Sequence, residues 1–249
     1  VVIKDEICAS VCDAHSMFHP RAFTDGFNAD ADVPARARDA TSCASPSRCV
    51  VVGPPGCGKT TLLLRFAAHF VREHPNQRVL FIATRAAMER AQIHGSRHEI
   101  LNDPSANERL RSIGIKYVES DEDVRAWACF RHAAPAEAQP SCVIVDDLGS
   151  MVRGSDRVSR EIAYARTLAA LHECARDDET GEAKTLVVSE VTDSDTGQAP
   201  MLYVYAKWFE EVLQVHEVRD GDGGGVGIWD LQAQSDGASA RYSTRSQAG

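Results

Sequence analysis

The stretch that decides the fold is Gly53-Pro54-Pro55-Gly56-Cys57-Gly58-Lys59-Thr60. It fits the pattern G-x-x-x-x-G-K-[ST] at every fixed position, and this pattern is typical of loops that bind nucleotide phosphates. Its glycines let successive backbone N–H groups face phosphate oxygens. Lys59 would then reach the β and γ phosphates, while the hydroxyl of Thr60 would bind Mg²⁺. The alternative is a glycine-rich turn with a solvent-facing lysine.

The residues around the motif place it between a strand and a helix. Cys49–Gly53 is a short apolar run that ends in glycine, as a buried parallel strand does. Residues 58–73 show helical periodicity, which Pro75 ends. A strand followed by a helix is the context that this motif requires. The predicted ATP-binding residues are Gly53, Pro54, Pro55, Gly56, Cys57, Gly58, Lys59, Thr60 and Thr61.

A second strand-like run ends in two carboxylates. Cys142–Asp146 is apolar up to Asp146, and Asp147 follows it. In P-loop ATPases a carboxylate in this position holds Mg²⁺, and the carboxyl ends of the strands form the ligand-binding edge of an open α/β sheet. We therefore predict that Thr60 and Asp146 hold Mg²⁺, with Asp147 as a second candidate. A helix-capping or loop aspartate is the alternative.

Strands and helices alternate along most of the chain. Apolar runs predict further strands at 78–83, 113–118 and 185–189, and capped or periodic segments predict helices at 120–132 and 157–176. This alternation favours an α/β fold with a mainly parallel sheet covered by helices on both faces. Two βα units separate the motif strand from the Asp146 strand, which favours the P-loop class with an extra strand between them. RecA-like and AAA-type ATPases share that arrangement.

The two ends of the chain differ from its centre. Residues 1–47 mix Ala, Asp, Ser and Pro, and we predict an irregular N-terminal extension. Residues 212–218 and 226–231 predict an antiparallel β-hairpin at the sheet edge. We place the P-loop domain at 48–232 and expect a flexible tail at 233–249. A zinc site is conceivable in the extension, but the spacing matches no strong zinc pattern at Cys8, Cys12, His15 and His19.

Composition limits the classes of partner. No run approaches the about 18 apolar residues that a membrane helix needs, so no membrane partner is expected. The net charge of −9 gives no overall attraction to nucleic acid, and a DNA contact would need a local basic surface. The eight cysteines are scattered, which suits reduced thiols in an intracellular protein better than a disulfide framework.

Several segments resemble RecA-like recombinases. The run Val143–Arg153 is similar to their corresponding strand, and further cues are Arg111–Tyr117 and Lys207–Phe209 leading into Val212–His216. Over roughly 48–232 the chain resembles recombinase paralogues, closest to the SWIM-domain-associated ATPases of the Shu complex. The resemblance implies a RecA-like fold, a nuclear role in homologous-recombination repair, and binding of ATP and single-stranded DNA. It implies a SWIM-domain protein and recombinase paralogues as partners.

The chain departs from that family at two positions. RecA-like recombinases usually place a water-orienting glutamate just after the second strand, where this chain reads Ala83–Ala87, with Glu89 as the nearest carboxylate. After the fifth strand they usually carry an amide that senses the γ-phosphate, and this chain has Ser189-Glu190. Glu190 would polarise water or cap a loop. We therefore take Lys59, Asp146 and Glu190 as candidate catalytic residues and expect slow hydrolysis.

A possible DNA contact lies in the loop after the Asp146 strand. In the resembling family the loops after the fourth and fifth strands touch DNA, and the first of these carries Arg153, Arg157 and Arg160. Their guanidinium groups would meet phosphates, or they form a solvated helix start. The second loop, 192–200, has no basic residue. Four aromatic residues are clustered in the sequence, and they could stack on bases, pack in the core or form a partner interface: Tyr203, Tyr205, Trp208 and Phe209.

Two other kinds of function remain open from the sequence. One is an assembly scaffold with a structural nucleotide pocket and no useful turnover. The other is an AAA-type or transport-related ATPase. The apparent lack of a helical lid domain after the fifth strand counts against the AAA type, and a transporter signature motif is missing.

Overall fold

A single β-sheet organises the part of the chain that the computed structural model describes, which is residues 18, 20–24, 47–90, 110–135, 138–154, 156–176, 183–193, 196–218 and 228–243. Its strands are β1 Arg48–Gly53, β2 Val79–Ala83, β3 Ile113–Tyr117, β4 Cys142–Val145, β5 Thr185–Val191, β6 Glu211–Glu217, β7 Ile228–Ala233 and β8 Ser239–Ser243. Their order across the sheet is β3-β2-β4-β5-β1-β6-β7-β8. Strands β1 to β6 pair in parallel, whereas β7 and β8 are antiparallel additions.

Helices connect and cover the strands. They are α1 Pro20–Thr24, α2 Lys59–Glu73, α3 Arg85–Arg90, α4 Asp121–Phe130, α5 Leu148–Met151, α6 Arg157–Cys174 and α7 Leu202–Tyr205, with a 3₁₀ turn at Arg131–Ala133. The predicted cap of α4 is confirmed, because Ser120 and Asp123 form a reciprocal capping box. Among the helices that the structure describes, none combines the length and the apolar character needed to cross a bilayer.

Both faces of the sheet are buried, as expected for parallel strands. In β1 the side chains of Cys49 and Val51 join one apolar cluster, while Val50 and Val52 join the other. Helices α1 and α2 cover the first face, and α4, α6 and α7 contribute to the second. The sheet therefore has helices on both faces, and the predicted α/β P-loop class is confirmed.

The central strands β1, β4 and β5 place the predicted site residues at one edge of the sheet. Strand β5 lies between β1 and β4 and pairs in parallel with both. This is the expected extra strand between the motif strand and the Asp146 strand. Because parallel strands end at the same edge, the motif after β1, Asp146 after β4 and the end of β5 meet there.

The structure differs from the expectations at both ends of the domain. Helix α1 lies within the expected irregular extension, and Phe18 and Phe23 are buried against Phe66 of α2. Strand β8 lies within the expected flexible tail and pairs with β7, with Tyr242 buried. The sequence is small and polar there, but alternation turns Ala240 and Tyr242 inward.

Some expectations fall outside the described residues. These are the residues of the conceivable zinc site and the connection between the two predicted hairpin strands at 219–227.

Candidate nucleotide site

The phosphate-binding motif forms a tight loop between β1 and α2. Gly56 has φ 77° and Gly58 has φ 87°, both in the left-handed region that favours glycine. Gly58 is the residue before α2, which begins at Lys59. The loop therefore enters the positive end of a 15-residue helix, which is the backbone arrangement that attracts phosphate.

Lys59 lies inside this loop. Its side chain is only 7% exposed. The ammonium group donates hydrogen bonds to the carbonyl oxygens of Gly53 and Pro54, both at 2.8 Å. The thiol sulfur of Cys57 lies 3.7 Å from the same nitrogen. The positive charge is therefore held at the start of the loop that is predicted to bind phosphate.

Asp146 is the buried centre of the site. The Thr60 hydroxyl donates to its Oδ2 at 2.7 Å, and the Ser189 hydroxyl donates to its Oδ1 at 2.8 Å. The backbone N–H of Asp147 donates to Ser189 Oγ at 2.8 Å. Burial raises the pKa of Asp146, and the two hydroxyl hydrogen bonds oppose that rise. The ionised carboxylate is thus poorly compensated by the protein alone.

These groups fit a magnesium ion. Asp146 and Thr60 offer a carboxylate and a hydroxyl oxygen in contact, and Mg²⁺ prefers oxygen ligands of this kind. A divalent cation would also compensate the buried charge of Asp146. Thr60 comes from α2 and Asp146 from the end of β4, so the two predicted metal residues are brought together across 86 positions of sequence.

Glu190 lies on the other face of the sheet. Strand alternation turns Ser189 toward Asp146 and Glu190 toward α6 and α7. Its Oε2 accepts hydrogen bonds from Tyr164 at 2.8 Å and Tyr205 at 2.7 Å. Burial is the main cause that raises the pKa of Glu190 to about 7, and the tyrosine hydrogen bonds oppose the rise. The structure thus joins Glu190 to two helices and does not place it with Lys59 and Thr60.

The segment after β2 holds no carboxylate at the expected glutamate position. The hydroxyl of Thr84 accepts a hydrogen bond from the N–H of Ala87, so it caps α3. Glu89 is exposed on α3. The described residues directly after β2 therefore offer no carboxylate close to the end of that strand.

The three candidate DNA residues flank the start of α6. Arg153 and Arg157 are exposed and Arg160 is half-buried. The Asp156 carboxylate accepts from the N–H of Ser159 and caps this helix. In the second loop Asp193 is exposed, and Asp195 lies outside the described residues.

The aromatic cluster divides into two parts. Tyr205 and Phe209 are buried against each other in the core. Trp208 is half-buried beside His172, whereas Tyr203 is 44% exposed. Core packing therefore accounts for the first pair.

Sequence reasoning missed two residues that touch the site. Ser189 was noted only as a departure from a family pattern, although its place at the end of β5 beside Asp146 follows from parallel pairing. Tyr242 of β8 donates a hydrogen bond from its hydroxyl to the carbonyl oxygen of Cys57 at 2.6 Å. Alternation over Ala240-Arg241-Tyr242 was the only sequence signal for it.

Comparison with known families assigns the core of the chain. A family model described as AAA domain matches residues 43–192, more than half of the chain. The AAA type is therefore the family that matches, although the lack of a helical lid domain counted against it in the sequence. The match begins before β1 and ends directly after β5, so it includes the motif, Asp146, Ser189 and Glu190. No curated protein matches the sequence.

Proposed function

The chain belongs to the AAA domain family of P-loop ATPase-type, nucleotide-binding proteins, and we propose that it binds Mg-ATP and hydrolyses it slowly. We further propose that it acts as a nuclear subunit in homologous-recombination repair. There it would contact single-stranded DNA within a hetero-oligomer that contains a SWIM-domain protein and recombinase paralogues.

One observation carries the ATP proposal. The Thr60 hydroxyl contacts the buried Asp146 carboxylate, and the buried Lys59 ammonium lies in the same loop. Lys59 would donate to phosphate oxygens, and the loop N–H groups would orient them. Thr60 and Asp146 would hold Mg²⁺, which neutralises charge on the β and γ phosphates when it is bound.

Slow turnover is supported by how the carboxylates are arranged. Hydrolysis needs a group that orients the attacking water. Glu89 is exposed on α3, and the Glu190 carboxylate is held by tyrosines on the opposite face of the sheet. A pocket in which ATP acts mainly as a structural ligand is the second candidate function, and the same arrangement favours it.

We expect steady-state turnover of the purified chain well below the typical enzyme value of about 10 per second. Asp146→Asn should abolish Mg²⁺-dependent turnover, because it removes the proposed metal ligand. Glu89→Gln is the matched control and should leave the rate unchanged. Phosphate release in a coupled assay measures all three proteins. A rate above that value without a partner contradicts the proposal, and no turnover in wild type with intact ATP binding favours the structural pocket.

The repair role rests on the resemblance to recombinase paralogues and on a local basic surface. Arg153, Arg157 and Arg160 gather around one helix start on a chain with a net charge of −9. Two of the three are exposed. Guanidinium groups at such a position would neutralise backbone phosphates without reading sequence.

Single-stranded DNA affinity should fall as salt rises, with a log–log slope of about −0.7 for each phosphate contact. Replacing Arg153, Arg157 and Arg160 together by Ala should weaken binding and flatten this slope for all sequences. Fluorescence anisotropy of a labelled oligonucleotide over a salt series measures both quantities, with the partner subunit present once it is identified by co-purification.

The matched control removes three exposed arginines elsewhere, Arg72, Arg90 and Arg241. It changes the net charge equally and should keep the wild-type slope. If both triple variants behave alike, the contact at the start of α6 is refuted. If wild type fails to bind DNA even with its partner, the scaffold function replaces the DNA-binding one.

A further inference from the structure

We propose that Tyr242, on the C-terminal strand β8, is a positioning residue of the nucleotide site that orients a phosphate-binding N–H of the loop. The proposal rests on the proposed binding of nucleotide at this loop. In this proposal the C-terminal hairpin β7–β8 contributes to nucleotide binding, although the match to the family model ends at residue 192.

The contact is short and shielded from solvent. The Tyr242 hydroxyl donates to the Cys57 carbonyl oxygen at 2.6 Å, across 185 positions of sequence. Tyr242 is only 2% exposed and belongs to the same apolar cluster as Cys57. Burial raises the pKa of this hydroxyl well above its usual value, so it stays a neutral donor.

The hairpin that carries Tyr242 belongs to the same sheet as β1. β8 pairs with β7, β7 with β6, and β6 in parallel with β1, which leads into the loop. Strand β6, to which β7 is paired, also packs closely against the start of the loop, because a Cβ added to Gly53 would lie 2.7 Å from the Cβ of Val215. Helix α1 packs against both α2 and β8. The Tyr242 hydroxyl therefore lies on a strand that is held by pairing with β7 and by packing against α1.

The hydrogen bond from Tyr242 to the Cys57 carbonyl can orient a phosphate-binding N–H because both groups of the 57–58 peptide are rigidly linked. The carbonyl of Cys57 and the N–H of Gly58 belong to one planar trans peptide, so they point in opposite directions. The hydrogen bond from Tyr242 therefore fixes the Gly58 N–H on the side of the peptide away from the hairpin, where the proposed phosphate would accept from it. Gly58 has a left-handed φ, and because it has no Cβ, its own side opposes no rotation of this peptide plane. The hydrogen bond from Tyr242 supplies that restraint.

Coupling of this kind is reciprocal. If the hairpin improves phosphate binding, then bound phosphate must stabilise the hairpin by the same free energy. The amides of residues 228–243 should consequently exchange more slowly with solvent when nucleotide is bound. If the Tyr242 ring only packed in the core, removing its hydroxyl would not change how much bound nucleotide slows hydrogen exchange of the hairpin amides.

The test uses Tyr242→Phe in the full chain, which keeps the ring and removes the hydroxyl. We expect Mg-ATP to bind about three- to tenfold more weakly by calorimetry, as for the loss of one buried hydrogen bond. At saturating Mg-ATP, the nucleotide-dependent protection of residues 228–243 in hydrogen exchange should be smaller than in wild type.

Tyr205→Phe is the matched control, because it also removes one buried hydroxyl hydrogen bond, to Glu190 on the opposite face. It should keep wild-type ATP affinity and hairpin protection. Equal affinity in wild type and Tyr242→Phe overturns the positioning role while nucleotide binding stands. An equal loss in both variants also overturns it, since affinity would then follow general stability. Absence of ATP binding in wild type refutes the proposed function itself.

Discussion

At the scale of single residues, the proposed site combines residues of one continuous loop with residues that other strands supply. Lys59 and Thr60 lie in one continuous pattern, and Asp146 ends an apolar run, so each could be predicted as a candidate. Ser189 and Tyr242 reach the site only through sheet pairing. The direction of Glu190 depends on which face of β5 it occupies, and one residue of register reverses that outcome.

The Glu190 cluster makes neighbouring Gly149 sensitive to substitution. A Cβ at Gly149 would come within 2.7 Å of the Tyr164 hydroxyl and nearer still to Glu190 Oε1. The Tyr164 hydroxyl donates to Glu190 Oε2, and Glu190 Oε1 accepts from the N–H of Val191, so both groups are held in place. We expect Gly149→Ala to lower the free energy of unfolding by about 1–3 kcal/mol, as overpacked cores do.

Gly114→Ala is the matched control for that change. The nearest atom to a Cβ there is Leu80 Cδ1 at 3.7 Å, an ordinary contact. We expect it to leave stability within about 1 kcal/mol of wild type, because alanine also restricts the unfolded chain. Urea unfolding of both variants measures the difference. Equal midpoints for the two variants would show that Glu190 and Tyr164 yield without cost.

At the scale of elements, strongly patterned segments were predictable and weakly patterned ones were not. The predicted helix at 58–73 forms as α2, and the predicted strand at 142–146 forms as β4 Cys142–Val145. Helix α1 has only five residues, too few for a helical periodicity to predict it from the sequence. β8 alternates small and polar residues around Tyr242, so its burial depends on pairing with β7.

The same contrast applies to the two elements that meet the loop. Helix α2 can be predicted from the amphipathic pattern of its own sequence. The position of β8 depends instead on its pairing with β7, which pairs with β6 in the same sheet. The proposed role of Tyr242 is therefore a property of the assembled sheet. This is why a segment that looks like a polar tail contributes a contact at the loop.

At the scale of the whole molecule, the sheet collects distant chain segments at one edge. Thr60, Asp146 and Ser189 form one hydrogen-bonded group, although Thr60 belongs to α2, Asp146 follows β4 and Ser189 lies in β5. The parallel order that places β5 between β1 and β4 brings about this meeting. We propose that this edge binds Mg-ATP through Lys59.

The most direct measurement of that claim is a calorimetric titration of Mg-ATP into wild type, Lys59→Ala and the control Lys207→Ala, which removes an exposed lysine elsewhere. Circular dichroism establishes that each variant is folded. The account predicts one binding site in wild type and Lys207→Ala, and at least about tenfold weaker binding in Lys59→Ala, because a charge-assisted bond to phosphate is lost. A folded Lys59→Ala protein that binds Mg-ATP with wild-type affinity would contradict the assignment of the site.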